Sequence, residues 1–153
     1  MISAGKVGFR TVACGALLIL LSTLAASSAP TNMVTTRVLH VIDGDSVIVD
    51  IGGTPERTRL AGIDAPELSQ PHGPAARTAL SGLIGTNCIT VTWSRRDRYG
   101  RLLATLAAAG RNLNVGMVAD GHAWRYPGVR GWGMLDKLEA CARTAGRGLW
   151  AHP

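Results

Sequence analysis

Three acidic and two basic side chains are spaced so that together they can handle a phosphate ester. Asp45 lies in the run VIDGDSV at 41–47, Arg59, Asp64 and Glu67 fall within RLAGIDAPE at 59–67, and Arg101 ends DRYGR at 97–101. Asp64 follows the apolar run LAGI. An inward carboxylate in such a setting is costly unless it is paired or bound to a metal. With Asp45 it offers hard oxygen donors of the kind calcium accepts in flexible geometry. No histidine or thiolate stands nearby in the sequence, which argues against zinc. Arg59 and Arg101 are suited to hold phosphate oxygens through paired N–H donors, and such donors neutralise the charge that builds on a pentacovalent phosphorus. Glu67 is then free to orient or deprotonate a water. The same acids admit a plainer reading: Asp43 and Asp45 cap an Asx turn, and Asp64 precedes an Ala-Pro turn. Composition and spacing leave both readings open.

The elements that must position these residues are mostly short strands. Residues 34–39, extended by His40 to Ile42, form a β-branched run that ends in the Asp43-Gly44-Asp45 turn. Residues 46–51 and 56–60 read as two further strands around the turn Gly52-Gly53-Thr54-Pro55. Pro66 excludes helical geometry at Ala65. Pro74 suits a first helical position, and Ala79, Leu80, Leu83 and Ile84 keep helical spacing up to Gly85. A strand over 89–93, a polar turn over 94–100 and a strand over 101–106 follow. Short helices are expected at 114–120 and 134–144, the second presenting Leu135, Leu138, Cys141 and Ala142 on one face. His122 to Gly131 reads as irregular. About five short strands with intervening helices suggest a small closed barrel.

The ordered text IDGDS, RLAGIDAPE, GPAA, DRYGRLLA, LNVGMVADGHAW and LEACARTAGRGLW resembles the staphylococcal nuclease family, over about Val38 to Trp150. The resemblance implies an OB-fold, mainly β with packed helices: a five-stranded barrel plus about three α-helices. It implies Ca2+ held by Asp45, Asp64 and the carbonyl of Ala65, with Glu67 as general base and Arg59 and Arg101 on the scissile phosphate. It implies hydrolysis of DNA and RNA with little sequence preference, breaking the bond to the 5′ oxygen and leaving 3′-phosphates. Asp43 falls in a structural or supporting role. The pocket aromatics depart from the family pattern. Tyr99, Tyr126 and Trp124 are the candidate substrate contacts, with Trp124 also readable as core. The segment from Leu68 to Pro74 is shorter than in staphylococcal nuclease.

The rest of the sequence bounds the setting. Lys6 and Arg10 precede a charge-free run from Thr11 to Ala29, the pattern of an export signal over residues 1–29. Its apolar centre is short for a membrane span. Export makes the expected location periplasmic or secreted. The remaining residues, 30–153, amount to one domain. They carry fourteen basic and ten acidic residues, a net charge of +4, and Lys137 is their only lysine. Arginine forks match phosphate oxygens, although a soluble domain of this charge is ordinary. The expected partners are DNA and RNA substrates, with no obligate protein partner and a monomeric chain. Cys88 and Cys141 are the two cysteines after the signal, and an oxidising compartment suggests a disulfide between them; two separate thiols are the alternative. Arg95, Arg96 and Arg98 form a basic turn that either meets a substrate backbone or is solvated surface. His40, His72, His122 and His152 show no metal-ligand spacing, and Trp132 is a candidate surface aromatic.

Overall fold

The apolar alternation of the first half of the chain folds into a curled sheet, and the later apolar stripes become helices that cover it. The computed structural model describes residues 31–127 and 133–151. The expected signal, Trp132 and His152 lie outside these residues. In chain order the elements are β1 (Asn32–Thr36), β2 (Val38–Val41), β3 (Ser46–Ile51), β4 (Thr54–Leu60), β5 (Ile63–Asp64), α1 (Gly73–Ile84), β6 (Ile89–Arg96), β7 (Leu102–Ala108), β8 (Arg111–Asn112), α2 (Leu113–Ala119), β9 (Trp124–Arg125) and α3 (Gly133–Thr144), then a 3-10 turn at Gly148–Trp150.

The main sheet runs in the order β1-β6-β7-β4-β3-β2, with β8 added on β7. All its pairs are antiparallel except β4 with β7. Period-two alternation turns Val47, Val49, Leu60, Val91, Ala104 and Leu106 inward. Leu80 and Ile84 of α1, Leu113 and Met117 of α2 and Leu135 of α3 close the same core. β5 and β9 form a separate two-stranded ladder, so the stretch expected to be irregular after His122 supplies a short strand.

The expected class, a sheet packed against three helices, is what folds. The closed five-stranded barrel is corrected in detail. The hydrogen-bonded path is open, with β1 and β2 as its ends. Only Arg37 separates those two strands in the chain. The first pairs with β6 and the second with β3, because the run bends at Arg37 and its register shifts between Val38 and His40. The two edges of the sheet are therefore bridged by the chain itself and not by a continuous ladder. β6 also extends to Arg96, three residues beyond the expected Trp93, so that the polar turn shrinks to residues 97–100.

The disulfide is a second correction. Cys88 and Cys141 are both free and exposed. On α3 it is Leu135 and Ala142 that are buried, and the burial pattern turns Cys141 to solvent, away from the apolar stripe it was expected to join.

Candidate active site

The turn that carries Asp45 is held against helix α1. The amides of Ile42 and Asp43 both donate to the carbonyl of Ser46, at 2.9 and 3.3 Å. The Asp43 carboxylate accepts from the Asp45 amide at 2.9 Å, so Asp43 does form the Asx turn. Gly44 is required by space: a Cβ there would stand 2.7 Å from both the Ala65 and the Ala76 Cβ atoms. The backbone continues into the ladder, with the Leu60 amide donating to the Asp45 carbonyl at 2.8 Å.

Asp45 itself is 1% exposed. Its Oδ1 accepts from the Ser46 hydroxyl at 2.9 Å and from Arg59 Nη1 at 2.5 Å, and its Oδ2 accepts from the Ala65 amide at 2.7 Å. Arg59 Nη2 donates to Asp64 Oδ1 and lies 3.5 Å from the carbonyl of Ile63. One guanidinium thus joins two carboxylates that are 19 positions apart in sequence. Burial pushes the Asp45 carboxyl up to about 7, against the pull of Arg59 and the Ala65 amide. Burial also works against the charge on Arg59, but Asp45 and Asp64 outweigh it and hold the guanidinium above its ordinary value.

Arg59 and Asp64 face a cleft of about 1250 Å³, which Glu67, Tyr99, Arg101 and Tyr126 also line. Asp64 is far more open than Asp45, with a side chain 47% exposed. Glu67 sits in a tight loop: its amide donates to Gln70 Oε1 at 2.8 Å, and its carbonyl accepts from the Gln70 amide at 2.9 Å. Gly73 lets the helix start press on that loop, since a Cβ there would fall 2.0 Å from the Glu67 carbonyl oxygen. The Glu67 side chain is left exposed, facing the cleft.

Arg101 precedes β7, the strand that pairs with β4, and lines the same cleft from the 97–101 turn. Its Nε donates to Asp97 Oδ2 at 2.7 Å, and Asp97 Oδ1 accepts from the amides of Tyr99 and Arg101 at 2.9 and 3.0 Å. Asp97 therefore folds the turn and aims the arginine together. Burial opposes the Asp97 charge, but Arg101 and the turn amides hold the carboxyl below its ordinary value. Tyr99 is exposed, with the Arg98 and Arg101 guanidinium carbons 4.7 and 5.5 Å from its ring centre, within cation–π range.

The five residues singled out by chemistry are thus placed around one cleft, with Asp45 buried behind Arg59. Asp45 and Asp64 are brought together through Arg59; among the described residues no three His, Cys, Asp or Glu side chains form a metal-binding group. Tyr99 and Tyr126 line the cleft. Trp124 pairs with Asp64 across the β5–β9 ladder and lines a neighbouring hollow with Pro66, Gln70, Pro71, His72 and Leu149.

Three positioning residues escaped the sequence. Asn114 is fully buried and joins α2 to the sheet: its Oδ1 accepts from the Leu106 amide at 3.0 Å, and its Nδ2 donates to the carbonyls of Ala61 and Ala104. His72 and His122 meet across 50 positions, with Nε2 and Nδ1 2.9 Å apart and rings stacked at 14°. For Asp97, by contrast, the D-x-x-G turn pattern was a usable signal.

Comparison with known proteins gives the lineage. A family model described as staphylococcal nuclease homologue matches residues 57–152, a span that includes Arg59, Asp64, Glu67 and Arg101 but not Asp45. A protein named uncharacterized endonuclease from Escherichia coli O157:H7 is 40% identical over 116 residues, covering 75% of this chain and 76% of that one. A micrococcal nuclease of Shigella flexneri is 37% identical over 128 residues, covering 76% and 74%. An uncharacterized endonuclease of Haemophilus influenzae is 34% identical over 143 residues, covering 93% and 79%. Cleft, motifs and relatives agree, and the chain belongs to the family of staphylococcal nuclease homologues.

Proposed function

We propose that this protein is a calcium-dependent nuclease that hydrolyses DNA and RNA with little sequence preference and leaves 3′-phosphates. Its relatives are named as nucleases, and the observation that carries the reading is the Arg59 bridge between Asp45 and Asp64 at the wall of a cleft shared with Glu67 and Arg101. The donor set fits a hard cation. It is made of oxygens alone, with the carboxylates of Asp45 and Asp64 beside one shared guanidinium. Asp45, Asp64 and the Ala65 carbonyl are the residues assigned to it. When bound, calcium supplies positive charge against the phosphate and its attacking water.

The side chains divide the remaining work. Arg59 and Arg101 hold the non-bridging oxygens of the scissile phosphate and stabilise the charge that grows on them. Glu67 accepts a proton from the attacking water as its oxygen forms a bond to phosphorus. The bond from phosphorus to the 5′ oxygen breaks, and Arg101 stabilises the departing oxygen until solvent protonates it. The phosphate stays on the 3′ side. Tyr99 and Tyr126 flank the cleft as stacking surfaces for the bases on each side.

We place the protein outside the cytosol as a monomer, on the reading of residues 1–29 as an export signal. The test of the function is incubation of the purified chain with plasmid DNA and with RNA, in calcium and in chelator, followed by end-group analysis. The expected result is degradation of both only with calcium, with 3′-phosphate ends. Binding without degradation in calcium would instead mark a nucleic-acid-binding module.

A further inference from the structure

We propose that Arg57 and Arg95 hold phosphodiester groups neighbouring the scissile one, so that the cleft is built for a single nucleic-acid strand and not for one isolated linkage. This inference rests on the nuclease reading above and extends the same cleft.

The sheet register carries the argument. Thr58 and Leu60 of β4 are buried, so the alternation turns Arg57 and Arg59 to the opposite, outer face. Arg59 is level with Leu103 on β7, and Leu103 with Arg95 on β6. Arg59, Leu103 and Arg95 therefore form one row across three strands. The row exists because of a bulge. Trp93 pairs with Ala104, whose side chain is buried, and simple alternation would give Arg95 the same inward orientation. The register shift between Trp93 and Arg95 reverses this and brings Arg95 to the Leu103 side. Two strand spacings set the Cα atoms of Arg59 and Arg95 roughly 10 Å apart, and two residues along β4 set Arg57 roughly 7 Å from Arg59. Long arginine side chains span such gaps to successive phosphates of an extended strand.

Charge and partnering agree with the register. Six arginines but only three carboxylates line the cleft, and both Asp64 and Asp97 are already paired with arginine. Arg96, next along β6, is tied to Glu56 by two 2.8 Å bonds and to the Gly100 carbonyl. Among the described residues Arg57 and Arg95 have no carboxylate partner, and both are exposed at the cleft. The basic stretch of the sequence thus separates into one structural arginine, Arg96, and two open ones, Arg95 and Arg98, the latter set over the Tyr99 ring. Uncharged Leu103 lies between Arg59 and Arg95 in the row.

The test measures binding in chelator, where no turnover is expected. Fluorescence anisotropy is recorded over a salt series with a labelled ten-nucleotide single strand and with a dinucleotide carrying one phosphodiester. The proteins are the wild type, Arg57→Ala, Arg95→Ala, and Arg111→Ala, which removes the same charge from exposed β8 away from the cleft. The expected result is five- to tenfold weaker binding of the long strand by Arg57→Ala and by Arg95→Ala. Each should also lower the log–log salt slope by about 0.7. Dinucleotide binding should not change, Arg111→Ala should match the wild type, and Arg95→Lys should recover part of the loss. Equal weakening for both ligands would overturn the proposal, as would equal effects of Arg95→Ala and Arg111→Ala. A wild type that binds the strand but does not cut it in calcium would defeat the catalytic reading and leave this subsite standing. A wild type that binds no strand would defeat both.

Discussion

Arg59 on the β4 wall of the cleft and Arg101 on the wall at the 97–101 turn are built differently. Arg59 projects from the middle of the sheet, has a side chain 15% exposed, and serves two carboxylates. Arg101 stands at a hairpin, is 24% exposed, and answers to Asp97 alone. The first wall ties phosphate binding to the core, since removing Arg59 leaves Asp45 buried with no cation beside it. The second wall is a local device, in which one aspartate folds a four-residue turn and orients one arginine. The same chemical task is therefore coupled to stability on one side of the cleft and nearly free of it on the other.

The largest expected effect separates the walls on both measures. Arg59→Ala should abolish detectable cleavage and also cost roughly 1–3 kcal/mol in chemical denaturation, because it deprives the buried Asp45 carboxyl of its guanidinium partner. Arg101→Ala should lower kcat by about 10²- to 10³-fold while shifting stability by under about 1 kcal/mol, the scale of a partly exposed ion pair. Equal stability losses in the two variants would erase the contrast. Asp97→Ala should come next. It leaves Arg101 in place but unaimed, so we expect a smaller loss of kcat than for Arg101→Ala, with a rise in the mobility of residues 97–101 by amide exchange. Tyr99→Ala should act mainly on KM, by an amount within the roughly 1–3 kcal/mol range of base stacking.

The smallest effect lies away from both walls, at His72 and His122. Burial and the neighbouring His72 hold His122 below its ordinary value of 6.5, against a weaker opposite pull from Asp120. The unfolded chain then binds more protons than the folded one just below that value. Stability from this pair should be present above pH 6.5 and fall as the pH drops through the folded value. Relative to a His122→Gln variant, the wild type should lose stability as the pH falls from 7 to 5. Wild type and variant with the same pH profile of the unfolding midpoint would refute the assignment.

Much of the site was legible because its residues occupy local motifs. Asp45, Arg59, Asp64, Glu67 and Arg101 each sit beside a turn or proline that announces a special backbone, and the helices followed from apolar spacing. What was not legible depends on pairing between distant segments. Whether Arg95 faces in or out is decided by a bulge opposite Leu103 and Ala104, which no local pattern reveals. Trp124 is set level with Asp64 by pairing of β9 with β5, a two-residue ladder too short for periodicity to show. The placement of Cys141 turned on a helical face that sequence spacing defined only to within one residue. The open sheet path depends on a bend at Arg37 within what reads as a single β-branched run. Asn114 looked like an ordinary helix residue until three backbone partners fixed it in place.

Calcium-dependent hydrolysis with Glu67 taking the proton is the chemistry proposed for the carboxylate side of this cleft. Its most direct measurement is single-turnover cleavage of a labelled strand by the wild type and by Glu67→Gln, in calcium and in chelator, with calcium binding followed separately by calorimetry. Cleavage by the wild type is expected only with calcium, with a loss of about 10²- to 10⁴-fold in Glu67→Gln while calcium is still bound. Wild-type cleavage that persists in chelator, or a Glu67→Gln variant that cuts as fast as the wild type, would contradict it.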